Sequence, residues 1–381
     1  MADPLGGLFA TTLGRSDADL DERERFLDGL TSAPAPRSFV FATCHRVEVY
    51  SLDAAVAPRP AEARVRRGRA AARHLFRVAA GLESLITGER QVLGQLRRLR
   101  DSVRAEPLFE ALIERALRVG REVRAGTALG SNLRSLGSIA VDEALRHVDR
   151  PSEATALVVG AGEVGKLASR ALRRRVGRLL VANRDGARAA DLAREIGAET
   201  VALTALDEAL ARADCVISAA DTRGALFSAE RLRRRTLRSP LVLVDLAFPR
   251  SVPADARGLS GLVYRTADDL HDRSAPPAAA VRAAELACER EVERFAQEWR
   301  GRAAVPVIRA LRARSDEQRR RHLARALARL RHLDERDREV VSALASSLAN
   351  ALMHQPTVAL RAAPERSAAA RALFGLDEAP A

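Results

Sequence analysis

A chain of 381 residues is too long for one ordinary hydrophobic core and long enough for two or three, so a multidomain soluble protein is expected. No apolar run approaches the length of a membrane span, and no charged-then-apolar leader opens the chain, which points to the cytoplasm and away from any membrane. The net charge of +13 is almost wholly arginine, since Lys166 is the sole lysine. Such an excess suits a polyphosphate partner such as a nucleic acid. An arginine bias with this much alanine is equally the mark of a GC-rich genome, so the charge alone lends only slight support.

In chain order, the first clear strand is residues 39–43, Phe-Val-Phe-Ala-Thr, followed by a second β-rich stretch at 47–50. Cys44 falls at the end of the first strand, between Thr43 and His45-Arg46. Buried cysteines are ordinarily inert hydrophobes, the reading that fits Cys215 in a strand pattern and Cys288 in a helical one. At Cys44, cationic neighbours would lower the thiol pKa from about 8.5 and produce a nucleophilic thiolate. The three cysteines are far apart and show no C-x-x-C spacing, so neither a disulfide framework nor a metal site is expected. From about residue 64 to 148 the apolar spacing becomes helical, with Leu75, Val78, Leu82 and Leu85 at intervals of three and four, interrupted by Gly81, Gly88 and Gly94.

At Ala156 a buried-strand run leads into Gly160-Ala161-Gly162-Glu163-Val164-Gly165, then a helix-forming stretch to Arg174 and a second strand at 179–182. Gly160 permits the tight turn, Gly162 lets backbone approach a pyrophosphate, and Gly165 lets the helix pack closely, while the helix N-terminus presents N–H groups to the anion. Asn183-Arg184 stands after the second strand, where an NAD site usually carries an acid for the ribose 2′-hydroxyl. Arginine there suits a 2′-phosphate and favours NADP over NAD. Further strands at 215–218, 241–245 and 261–264 complete a doubly wound parallel sheet, closed by Pro276-Pro277. Beyond about residue 278 the chain reads as helix: one long helix broken near Pro306 and two or three more.

Several of these segments together resemble the glutamyl-tRNA reductase family. Its catalytic strand ends T-C-N-R, and this chain has Thr43-Cys44-His45-Arg46; its later motifs are matched without a gap by His74-Leu-Phe-Arg-Val-Ala-Ala-Gly-Leu-Glu-Ser84 and Gly88-Glu-Arg-Gln-Val-Leu-Gly-Gln95. The glycine turn, Asn183-Arg184, residues 213–218, Asp245-Leu-Ala-Phe-Pro-Arg250 and Asp268-Asp-Leu270 resemble the family's NADPH domain. Residues 350–358 and 373–376 resemble its helical dimerisation domain.

The resemblance implies an α/β multidomain protein in three parts: an N-terminal α+β catalytic domain over 1–148, a doubly wound Rossmann-type NADPH domain over 149–275, and an all-α dimerisation domain over 276–381. It implies that Cys44 displaces tRNA from glutamyl-tRNA(Glu) as an enzyme thioester, assisted by His74. NADPH then releases glutamate-1-semialdehyde for tetrapyrrole synthesis. Substrate contacts fall on Thr43, His45, Arg46, Ser84, Glu89, Arg90, Gln91 and Gln95, with Arg46 as a fork for the substrate carboxylate. Cofactor contacts fall on Gly160, Ala161, Gly162, Glu163, Val164, Gly165, Asn183 and Arg184. The implied partners are glutamyl-tRNA(Glu), a second copy of the chain, and a glutamate-1-semialdehyde aminotransferase.

Three positions depart from the pattern. His45 replaces the usual Asn, the early G-x-N-H-x-x-A-P segment is not recognisable between Leu8 and Ser16, and Asp185 stands where the family often has Thr. The competing readings are a paralogue acting on another aminoacyl-tRNA, a non-catalytic tRNA-binding homologue, and a quinate/shikimate-type dehydrogenase that would not need Cys44.

Overall fold

The structure is a computed structural model that describes residues 3–52, 54–56, 59–84, 91–103, 105–127, 129, 135–220, 225–236, 239–270 and 277–376. It divides into two compact units, Gly7–Glu291 and Met1–Gly6 with Val292–Ala381.

The first unit begins with strand β1 (Leu8–Gly14), helix α1 (Leu20–Ser32), and strands β2 (Ser38–Thr43), β3 (Arg46–Leu52) and β4 (Arg64–Arg67). The strands form one antiparallel sheet in the order β2-β3-β1-β4. Alternation along β3 divides its side chains between two faces. Val47 and Val49 join Leu13, Phe26 and Leu30 in an apolar core beneath α1. Glu48 and Tyr50 face the other way. On that side Phe39 stacks on Tyr50 at 4.9 Å and meets Phe109 edge-on. Phe109 belongs to α4 (Pro107–Gly126), which follows α2 (Arg69–Ala80) and α3 (Gln91–Ser102). Helices thus cover both faces, and β3 is buried along nearly its whole length.

Two elements here differ from the sequence reading. Residues 64–67 form a strand and not the start of a helical stretch, because Arg-Val-Arg-Arg pairs as an edge with β1. Gly94 lies inside α3 rather than interrupting it, a placement that costs about 1 kcal/mol against alanine. Gly81 does end its helix, at a φ of 80°.

Next come α5 (Leu136–Leu145), β5 (Thr155–Val159), α6 (Glu163–Leu172), β6 (Arg178–Ala182), α7 (Gly186–Ile196), β7 (Glu199–Val201), α8 (Leu206–Arg212), β8 (Cys215–Ser218), α9 (Ala229–Thr236), β9 (Leu241–Asp245) and β10 (Leu262–Thr266). The six strands are parallel in the order β10-β9-β8-β5-β6-β7. This order reverses between β5 and β8, and dinucleotide-binding sheets bind their ligand beyond the strand ends at such a switch point. Apolar cores lie on both faces of the sheet. Although α5 precedes the first strand, its Leu136, Ile139, Ala140 and Ala144 belong to one of these cores.

Helix α10 (Ala278–Arg302) starts in the first unit, where Glu285, Glu289 and Glu291 each lie 2.9 Å from Arg77, Arg73 and Arg115 respectively. In the second unit, α11 (Val305–Arg329), α12 (Glu335–Ala362) and α13 (Ser367–Phe374) meet in a small core of Val307, Ile308, Leu311, Leu360 and Ala370. Pro306 sits in the first turn of α11, where its missing N–H breaks no helical bond. Val340, Leu344, Leu348 and Leu352, four residues apart along α12, remain exposed. Among the described residues, no helix is long and apolar enough to cross a membrane, and no group of three or more His, Cys, Asp or Glu is placed to hold a metal ion.

Candidate active site

Strands β2 and β3 pair up to Thr43 opposite Arg46, so Cys44 and His45 are the two residues of a hairpin turn. Neither has a positive φ, hence neither position requires glycine and both can carry functional side chains. Arg23, buried in α1, donates from Nη1 to the Cys44 carbonyl at 2.6 Å. The half-buried Cys44 side chain packs against the apolar core of the parallel sheet, so the turn brings a thiol to the dinucleotide-type half of the unit. Burial pushes the other two thiols up, Cys215 to about 12 and Cys288 to about 11, keeping both protonated and inert.

Two residues after Arg46, on the same face of β3, the Glu48 carboxyl is fully buried. Its Oε1 lies 2.8 Å from His74 Nε2 and 3.5 Å from Arg46 Nη1, and its Oε2 accepts from Tyr50 at 2.8 Å. Burial alone would raise this carboxyl. The charge and hydrogen bond of His74, together with Arg46 and Tyr50, outweigh it and hold Glu48 at about 2. An ionised carboxylate only accepts, so His74 Nε2 carries a hydrogen and the ring has Nδ1 for a reacting group. The Tyr50 hydroxyl is driven well above its usual value by burial and the adjacent Glu48 charge, and remains a donor. Sequence reasoning missed Glu48. The available signal was an acid between Val47 and Val49 in a strand, since unpaired acids are seldom buried.

Arg46 is therefore shared between Glu48 and whatever else its fork meets. Ser84 lies just past α2, half-buried, and Gln95 is half-buried in α3. Gln91 starts α3, while its side chain, and all of Glu89 and Arg90, lie outside the described residues. A Cβ built on Gly94 would meet Glu163 Oε2 at 3.6 Å, which sets α3 beside the first turn of α6. Two motifs some seventy residues apart in sequence are thus neighbours.

At the glycine turn, Gly160 has a φ of 113°, and a Cβ there would lie 2.5 Å from the Ala219 carbonyl oxygen. A Cβ on Gly165 would come within 1.8 Å of the Gly160 carbonyl oxygen, so this glycine clears the turn itself. At Gly162 a Cβ would meet nothing within 4 Å among the described residues, and α6 starts there with no side-chain cap. Open space beside uncapped N–H groups is what a pyrophosphate requires, so the residues fit a dinucleotide. Because Gly162 has a φ of −73°, Gly162→Ala is expected to leave the thermal midpoint within about 2 °C while raising the KM for the nicotinamide cofactor roughly tenfold or more. Thermal unfolding and cofactor kinetics on one preparation check this, and an unchanged KM would place the cofactor elsewhere.

Asn183 accepts from Ala161 N–H at 3.2 Å and donates to the Asp185 carbonyl at 3.0 Å, tying the turn to the end of β6. Arg184 is exposed beside it. Asp185 caps α7, accepting from Arg188 N–H at 3.2 Å, a role the family's Thr would also fill. At the end of β9, Asp245 is buried and pushed up to about 6 by that burial, against donors from Ser251, Ala247 and Tyr264. It shapes the following loop, from which Arg250 reaches Glu24 and Asp21 on α1.

Residues 11–127 match the model of the glutamyl-tRNA(Glu) reductase N-terminal domain, residues 142–272 that of shikimate/quinate 5-dehydrogenase, and residues 283–376 that of the glutamyl-tRNA(Glu) reductase dimerisation domain. Glutamyl-tRNA reductase of Roseiflexus castenholzii is 34% identical over 373 residues, covering 89% of this chain and 88% of that protein. The Xanthomonas campestris pv. campestris enzyme is 35% identical over 365 residues, covering 90% and 84%. The solved glutamyl-tRNA reductase of Methanopyrus kandleri aligns over 98% of this chain and 100% of its own, at 28% identity and a TM-score of 0.43.

Proposed function

The chain belongs to the glutamyl-tRNA reductase family, and from that premise we propose that it reduces glutamyl-tRNA(Glu) with NADPH to glutamate-1-semialdehyde and free tRNA. The observation that carries the reading is the hairpin turn that sets Cys44 against the core of the dinucleotide-type sheet. A thiol, a buried histidine held by a carboxylate, and an open glycine turn then lie within one compact unit.

The Cys44 thiolate attacks the carbonyl carbon of the glutamyl ester. A C–S bond forms, the C–O bond to the terminal ribose breaks, and the ribose oxygen leaves with a proton that the His74 ring supplies or relays. NADPH, when bound, supplies the hydride that reduces the thioester carbon; the C–S bond breaks and the thiolate is regenerated. Arg46, with Thr43, His45, Ser84, Glu89, Arg90, Gln91 and Gln95, makes up the proposed substrate site. Gly160 to Gly165, Asn183 and Arg184 make up the proposed cofactor site. NADPH over NADH is favoured because Arg184 is exposed beyond β6 while Asp185, the nearest acid, is engaged as a helix cap. The same reading sets the reaction in the cytoplasm, where its proposed aminoacyl-tRNA substrate is found.

NADPH oxidation with glutamyl-tRNA(Glu), none with a non-cognate aminoacyl-tRNA, and no reduction of NADP+ by quinate or shikimate are the expected results of a substrate panel. Reduction of NADP+ by quinate or shikimate instead would assign the chain to the dehydrogenase reading.

The row Val340, Leu344, Leu348 and Leu352 is read as the seat of a second copy, consistent with the dimerisation-domain match. Burying one large aliphatic side chain is worth about 1.5–3 kcal/mol. Leu348→Glu with Leu352→Glu should therefore weaken the dimer by roughly 100-fold or more, measured by light scattering across a dilution series. An unchanged dimer would move the interface off α12.

A further inference from the structure

Arg23 is the charged group that the proposed chemistry leaves unexplained. Its side chain is wholly buried, yet its three nitrogens reach three parts of the chain. Nε donates to the Asp19 carbonyl at 3.3 Å, Nη1 to the Cys44 carbonyl at 2.6 Å, and Nη2 to Asp268 Oδ2. Asp268 comes from the segment just after β10, on the parallel sheet. Its other oxygen lies 3.8 Å from Nδ1 of His45, the second residue of the thiol turn. Neither His45 ring nitrogen, nor that oxygen, has a hydrogen-bond partner among the described residues.

One carboxylate on the parallel sheet thus faces both sides of the thiol turn: through Arg23 to the Cys44 carbonyl, and directly to the His45 ring. The same helix that carries Arg23 receives the rest of this contact. Arg250 bonds Glu24 and Asp21, Arg257 bonds Asp21 at 3.1 Å, and Phe248 packs into the core beneath α1. A buried arginine is a poor stabiliser compared with an apolar residue of similar volume, so its retention calls for a positional reason.

We propose that Asp268 and Arg23 are positioning residues that couple the seating of the dinucleotide-binding sheet to the orientation of Cys44. This rests on Cys44 being the nucleophile. With Asp268 ionised, Arg23 keeps its counter-charge and holds the Cys44–His45 peptide, which fixes the direction of the thiol. Without it, the guanidinium loses its only carboxylate ligand among the described contacts and the tie to the turn loosens.

The test compares full-length wild type with Asp268→Asn, Arg23→Gln and the double variant. It reads kcat and KM for glutamyl-tRNA(Glu), the KM for NADPH, and the rate of Cys44 alkylation by iodoacetamide, mapped by mass spectrometry. A misaimed nucleophile costs on the order of 10- to 100-fold in kcat. Asp268→Asn should show that loss with both KM values within about twofold, and should change the alkylation rate at least about threefold. The double variant should lose no more than the worse single one, because both act through one contact. Unchanged kcat and alkylation in a folded Asp268→Asn protein would overturn the proposal, as would additive losses in the double variant. If Arg23→Gln does not fold, Asp268→Asn decides alone. If Cys44 proves not to be the nucleophile, the alkylation rate still reports whether Asp268 reaches the turn, so the two failures are separable.

Discussion

Cys44→Ser is expected to bind glutamyl-tRNA(Glu) and NADPH normally and to form no semialdehyde, with kcat lower by roughly 10³-fold or more. A serine hydroxyl keeps the volume and the hairpin turn but not the reactivity. It is far less acidic than a thiol and is not converted to an anion by the neighbours that would serve a thiolate. The Cys44 backbone carbonyl still accepts from Arg23, so the substitution leaves the fold intact. Cys215 and Cys288, buried and held protonated, cannot substitute. Stability and substrate affinity should therefore match wild type, and the whole effect should fall on chemistry. Substantial turnover by the serine variant would remove the thioester from the mechanism.

Glu48→Gln should be the most damaging single substitution to stability, at about 3–5 kcal/mol, because it leaves His74 and Arg46 without their shared buried carboxylate. The same group sets an acid limit. Its folded value, about 2, is below the unfolded 4.5, so its stabilisation is complete above pH 4.5 and is lost as pH falls towards 2. A shift of that size is worth about 3 kcal/mol at neutral pH. Denaturant titrations between pH 3 and 7 should show wild-type stability falling more steeply below pH 4.5 than that of the variant, which lacks this carboxylate. Parallel profiles for the two proteins would show that Glu48 is not the titrating group.

How far the molecule was legible from its sequence depended on what each segment buries. The parallel strands β5, β6, β8 and β9 read directly, since they are buried and carry unbroken apolar runs, whereas the three-residue, largely exposed β7 did not; the glycine turn between β5 and α6 has a stereochemical requirement at Gly160 and Gly165. The hairpin at Cys44 was legible as a strand end because β2 and β3 are rich in β-branched and aromatic residues. Helix α1 was not: its inward row is Arg23, Phe26 and Leu30, and the arginine breaks the apolar period. For the same reason nothing in Asp-Glu-Arg-Glu-Arg sets Arg23 apart from a solvated charge. Strand β4 carries three arginines in four residues and forms only through pairing with β1, a long-range cause that local pattern does not report. At the site, Cys44 and His74 stood out by type and motif. Glu48 and Asp268 became visible once the fold brought residues from separate segments to the same few ångströms.

The most direct test of the thioester chemistry is a single-turnover experiment with glutamyl-tRNA(Glu) labelled in its glutamate, run first without NADPH. The proposed mechanism predicts label transferred to the protein, mapped to the peptide containing Cys44, and chased into glutamate-1-semialdehyde when NADPH is added. Label that stays on tRNA until NADPH is present, and never resides on the protein, would contradict it.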